Sequence, residues 1–117
     1  MDRILQATLN TWNGLVAAAR SESAFRQELV LLALAVPLAF LVAAETWKRL
    51  ALVLVIVLVL VIELLNTAIE KLADQITLER DPFIGQIKDM SSAAVGLALV
   101  IAGLAWLLAL IEQLTLS

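Results

Sequence analysis

Residues 50–62 read LALVLVIVLVLVI, and residues 63–70 continue as ELLNTAIE. The first stretch runs for thirteen residues without a polar side chain. At about 1.5 Å of rise per residue, a helix of that length covers roughly 20 Å. The hydrocarbon core of a bilayer is roughly 30 Å thick. Glu63 therefore falls inside a membrane span or at its inner edge. A charged carboxylate at the centre of a spanning helix costs about 2.5–3.5 kcal/mol on insertion scales, so such groups face a protein interior or a water-filled cavity. Glu63 is accordingly the first candidate functional residue.

The rest of the chain supports the membrane premise. Of its 117 residues 62% are hydrophobic and 16% charged, against about 45–50% and about 25% in soluble domains. The length predicts a single domain over residues 1–117. Cysteine and histidine are both absent, which removes disulfides, a thiolate nucleophile and the commonest general base and metal ligand. Acid–base or metal chemistry must rest on carboxylates. The net charge of −3 comes without a basic patch, so nucleic acid is not an expected partner.

Three spans fit the hydropathy pattern: about 29–44, with Pro37 as a kink site; about 50–72, carrying Glu63; and about 93–111, free of charge. Glu45-Thr46-Trp47-Lys48-Arg49 forms a tight hairpin between the first two, with an interfacial Trp. A polar stretch from Lys71 to Ser92, broken at Asp81-Pro82 and at Gly85, separates the second from the third. Before the first span, no signal-peptide apolar region is expected. Leu5, Leu9, Trp12, Val16 and Ala19 recur there at helical spacing, opposite Gln6, Asn10, Asn13 and Arg20. This predicts an amphipathic surface helix over about residues 2–20, with Trp12 as its anchor. The fold class expected is thus all-α: three transmembrane helices plus an N-terminal surface helix.

Of the eight Lys and Arg residues, Arg3, Arg20 and Arg26 precede the first span, and Lys71, Arg80 and Lys88 lie between the second and third. Only Lys48 and Arg49 lie in the hairpin. The positive-inside rule predicts a cytoplasmic N-terminus and second loop.

Glu63, Asn66, Thr67, Glu70 and Asp74 sit at i, i+3, i+4, i+7 and i+11, on one helix face. Carboxylates and amides are hard oxygen ligands, which favours Mg²⁺ over zinc. Lys88-Asp89-Met90-Ser91-Ser92 opens the third span, with Lys88 and Ser92 sharing a face. A Lys beside acids at the interface suits neutralisation of a phosphate, although for this cluster taken alone positive-inside anchoring is the stronger reading. Glu22 to Glu28 opens the first span, where Glu22 and Arg26 are spaced for an i,i+4 pair. All three clusters converge on one membrane face. Neither G-x-x-x-x-G-K-[ST] nor G-x-G-x-x-G occurs, so a phosphate site must be built some other way. Small residues at Ala94, Ala98 and Ala102 suit close helix packing. Three spans can hardly enclose a polar site alone, which predicts an oligomer.

Glu63-Leu64-Leu65-Asn66-Thr67-Ala68-Ile69-Glu70 resembles the E-x-x-N-[ST]-A-I-E signature of the small bacterial integral-membrane diacylglycerol kinases. Ala24-Phe25-Arg26-Gln27-Glu28, Lys88-Asp89-Met90-Ser91-Ser92-Ala93-Ala94-Val95 and Trp12-Asn13-Gly14-Leu15 also match, in the family's order and spacing. The middle two runs resemble the Gram-negative branch; Gram-positive relatives phosphorylate undecaprenol. One departure is Asn10-Thr11-Trp12, where the family has Tyr-Ser-Trp; Thr11 keeps the hydroxyl.

The resemblance implies a homotrimer in the bacterial inner membrane, with active sites shared between subunits at the cytoplasmic face. It implies transfer of the ATP γ-phosphoryl group to diacylglycerol, giving phosphatidic acid. On this resemblance Glu63 is the general base, Glu22 and Glu70 hold Mg²⁺, Asn66 positions the reacting groups and Lys88 meets phosphate charge. Arg26, Gln27, Glu28 and Asp89 line the nucleotide or shape the site. Arg3, Thr11 and Trp12 of the surface helix cover the lipid entry, and Ser92 joins the substrate site. The alternatives are an undecaprenol kinase, or a non-enzymatic membrane oligomer or ion translocator. A translocator needs polar groups continuing to the far side, and residues 50–62 supply none.

Overall fold

Long apolar runs with few helix breakers leave the backbone one way to satisfy itself in lipid, as continuous helix. The computed structural model describes residues 2–77, 79 and 81–116, with the side chain of Leu116 excepted. Arg80, counted among the second-loop cations, lies outside the described residues, as do Met1, Leu78 and Ser117. The described residues form four helices: α1 (Asp2–Ser21), α2 (Ser23–Val42), α3 (Thr46–Ile76) and α4 (Pro82–Leu116). The last three are each long and apolar enough to cross a membrane. α3 and α4, of 31 and 35 residues, rise roughly 46 and 52 Å and so outreach the bilayer core.

α3 is the central element. It packs on α2 along one side and on α4 along the other, while α2 and α4 barely meet. Its buried residues Leu52, Ile56, Val59, Leu60, Glu63 and Thr67 follow the i, i+4, i+7 stripe of one helix face. Three small cores stack along that stripe. Ala39, Ala43 and Leu52 fill the hairpin end. Ala35, Ile56, Val59, Ala98 and Ala102 fill the middle. Ala18, Phe25 and Leu60 join α1, α2 and α3 at the other end. Alanine dominates because, in lipid, helices associate by close van der Waals approach rather than by expelling water. Ala98 and Ala102 are used in this way, whereas Ala94 is exposed. Gly96 and Gly103 face open space, where a Cβ would meet nothing within 4 Å. Trp106 adds a polar tie by donating from Nε1 to the Leu52 carbonyl at 3.1 Å.

The connections depart from the sequence expectation in one respect. Gly85 does not break the chain, and α4 begins at Pro82 and runs through it. Asp81 is the reason. Its Oδ1 accepts from the Phe83 and Ile84 amides at 2.8 and 3.2 Å, which is N-capping with proline at the first helical position. Lys71 likewise belongs to α3 and Lys88 to Ser92 to α4, so the loop is much shorter than residues 71–92. Between α1 and α2 the break is a single extended residue, Glu22 (φ −118°, ψ 113°).

Candidate active site at one end of the bundle

The C-terminal half of α3 and the first turns of α2 and α4 meet at one end of the bundle. Because Glu63 and Thr67 continue the stripe that Leu52, Ile56, Val59 and Leu60 begin, they point inward rather than at lipid. Glu63 is only 8% exposed. Its carboxylate feels the charges of Glu70 and Glu22, and Glu28 feels that of Glu63. Glu22 is half-buried and Glu70 exposed. Glu22 stands at the N-cap of α2 and makes no side-chain cap bond, so its carboxylate is not committed to the helix end. Glu28 Oε1 is buried with no hydrogen-bond partner. Among the described residues none of these four acids forms an ion pair.

Like charges gathered in low dielectric repel unless a cation joins them or a carboxyl takes up a proton. The cluster and the orphaned Glu28 oxygen therefore fit a cationic group. No set of three or more acids among the described residues stands close enough to hold a metal alone.

Beside the acids, α4 is tied to α3 by polar contacts. The Ser91 hydroxyl donates to Asn66 Oδ1, and Ser91 is buried. Lys88 Nζ meets Asp74 Oδ1 at 2.5 Å. Of the serine pair, Ser91 turns inward while Ser92 is exposed. Ser91 and Asp74 join the site through these contacts; their signal in the sequence is spacing, Ser91 three residues after Lys88 and Asp74 four after Glu70. Asp89 and Gln27 are exposed. Arg26 is engaged elsewhere: its Nη1 donates to the Ala19 and Arg20 carbonyls at 2.9 and 3.1 Å, closing the end of α1.

A groove of about 380 Å³ runs between α1 and α3, lined by Thr11, Leu15, Ala18, Leu64, Thr67 and Lys71 among others. Thr67 shares Glu63's helix face, so groove and acid cluster adjoin there. Thr11 reaches the groove but donates its hydroxyl to the Ala7 carbonyl at 2.9 Å. Arg3 and Trp12 are exposed on α1.

Fold and site together define an all-helical membrane protein with a carboxylate-lined site at one end of three apolar helices. Residues 9–110 match the family described as prokaryotic diacylglycerol kinase. The diacylglycerol kinase of Pseudomonas aeruginosa is 40% identical over 106 residues, covering 91% of this chain and 86% of that protein. Those of Escherichia coli K12 and of Helicobacter pylori 26695 are 41% and 37% identical over 104 residues, each covering 89% of this chain and 85% and 81% of the relative. The chain belongs to the prokaryotic diacylglycerol kinase family.

Proposed function

We propose that this protein transfers the γ-phosphoryl group of ATP to the free hydroxyl of diacylglycerol, giving phosphatidic acid, at the cytoplasmic face of the bacterial inner membrane. The observation that carries this is Glu63, buried at the acid-rich end of the bundle with no ion pair among the described residues, in a chain of this family. Glu63 accepts the proton of the lipid hydroxyl as the oxygen attacks the γ-phosphorus and ADP leaves. Glu22 and Glu70 hold Mg²⁺, which when bound neutralises phosphate charge. Glu28, through its unpartnered oxygen, faces the same cationic zone.

Asn66 accepts from Ser91, which leaves its NH₂ donors to orient a substrate oxygen. Lys88, now on Asp74, can exchange that carboxylate for a phosphate oxygen. Asp89, Gln27 and Ser92 flank the nucleotide and substrate from the exposed rim. Arg26 shapes the site by closing α1. The groove beneath α1 admits the lipid, with Thr11 along it and Arg3 and Trp12 holding α1 at the interface. Glu70, Asp89 and Gln27 lie exposed, and three spans hardly enclose such a polar site alone, which supports assembly as a homotrimer with sites completed between subunits.

The test is transfer of labelled phosphate from ATP to diacylglycerol and to undecaprenol in mixed micelles. Labelled phosphatidic acid is expected; label in undecaprenol alone would assign the undecaprenol kinase activity instead. Orientation is checked by reporter fusions at Asp81 and Ser117, expected on opposite sides with Asp81 cytoplasmic.

A further inference from the structure

Lys71 has no part in the chemistry proposed above, yet it makes a contact that links two helices with few others between them. Its Nζ meets Ser21 Oγ at 3.2 Å, fifty residues away in sequence. Ser21 is the last residue of α1 and donates onward to the Ala17 carbonyl at 2.8 Å. A helix C-terminus carries unsatisfied carbonyls and the negative end of the dipole, and cations there are favourable. Arg26 already serves that end from α2; Lys71 serves it from α3.

The two contacts differ in what they fix. Arg26 is four residues beyond the Glu22 break, so it sets only the local angle between α1 and α2. Lys71 spans the gap between α1 and α3 and lines the groove that lies between them. Without it, α1 is held to α3 at this end by the small core of Ala18, Phe25 and Leu60. A hinge of one extended residue would then let α1 move and the groove change width.

We propose that Lys71 and Ser21 form a latch that holds the groove at the width the lipid substrate needs, making Lys71 a positioning residue for the lipid and not for the nucleotide. The proposal rests on the lipid-kinase function above. A latch of this kind contributes uniform binding, so its loss raises KM and leaves kcat in place.

The experiment compares the full-length parent with Lys71→Met, Ser21→Ala, the double variant and Lys71→Arg in mixed micelles. KM for diacylglycerol and for ATP with Mg²⁺ are measured separately. Lys71→Met and Ser21→Ala are each expected to raise the diacylglycerol KM by roughly two- to fivefold, the range an exposed charge contact supports. The ATP KM and kcat should hold, the double variant should be no worse than either single one, and Lys71→Arg should restore most of the parental value. An active parent whose variants keep the parental diacylglycerol KM, or shift the ATP KM equally, would overturn the latch alone. A parent that phosphorylates no lipid would overturn the proposed function and the latch with it.

Discussion

The two ends of the bundle treat charge in opposite ways. At the hairpin end, Lys48 lies 3.5 Å from Glu45 and 2.9 Å from Glu112. Trp47 Nε1 donates to Glu45 at 2.6 Å, and Arg49 donates to the Ala43 carbonyl at 2.8 Å while its guanidinium lies over Phe40. Every one of these charged groups has a partner within the chain. At the other end Glu22, Glu28, Glu63 and Glu70 gather with no ion pair among the described residues. At the hairpin end these contacts hold a loop to a helix, whereas at the other end the Lys88–Asp74 pair lies beside the unpaired acids. Carboxylates left unpaired, one of them inside the apolar zone, mark a functional candidate. The contrast supports placing the proposed chemistry at the acid end.

Breaking that contrast at Glu63 should have the largest effect. Glu63→Gln keeps shape and hydrogen-bonding atoms but removes the base. The variant should insert and assemble like the parent yet transfer phosphate at least about a hundredfold more slowly. Aggregation, loss of the oligomer or a near-parental rate would place Glu63 in the structure and not in the chemistry. Next come Glu22→Gln and Glu70→Gln, each expected to lower the rate sharply and to shift the Mg²⁺ titration to higher concentration. Near-parental titrations in both would remove them from the metal site.

Ser91→Ala should come third. It strips the hydroxyl from Asn66 and leaves the amide free to turn, which destabilises by about 1 kcal/mol and slows transfer several-fold. A stability loss with an unchanged rate would confine Ser91 to packing. The smallest effects belong to the paired end. Lys48→Met should change thermal stability little, as for other solvent-screened pairs, and leave transfer unchanged. A large activity loss from it would erase the distinction between the two ends.

What the sequence made legible was set by contrast along the chain. Glu63 stands out because thirteen apolar residues precede it, and the helices are legible because each apolar run has one favourable state in lipid. The break at Asp81-Pro82 is where α4 begins, whereas Gly85 also reads as a breaker but lies inside the helix that Asp81 caps. Partners across helices were not legible. Ser91 on Asn66, Lys88 on Asp74 and Lys71 on Ser21 depend on how α4 and α1 are rotated about α3. Spacing fixes which residues share a face, and only packing fixes what that face meets. Arg26 shows the same limit: the family resemblance implies that it lines the nucleotide or shapes the site, and only the fold reveals its carbonyl partners on α1.

The most direct test of this division is equilibrium binding of ATP, with and without Mg²⁺, to the detergent-solubilised protein. The parent and Lys48→Met should bind ATP tightly only with Mg²⁺ present, and the double variant Glu22→Gln with Glu70→Gln should lose that Mg²⁺ dependence while remaining folded. Mg²⁺-dependent binding that survives in the double variant, or disappears in Lys48→Met, would contradict the assignment of the unpaired acids to the metal–nucleotide site.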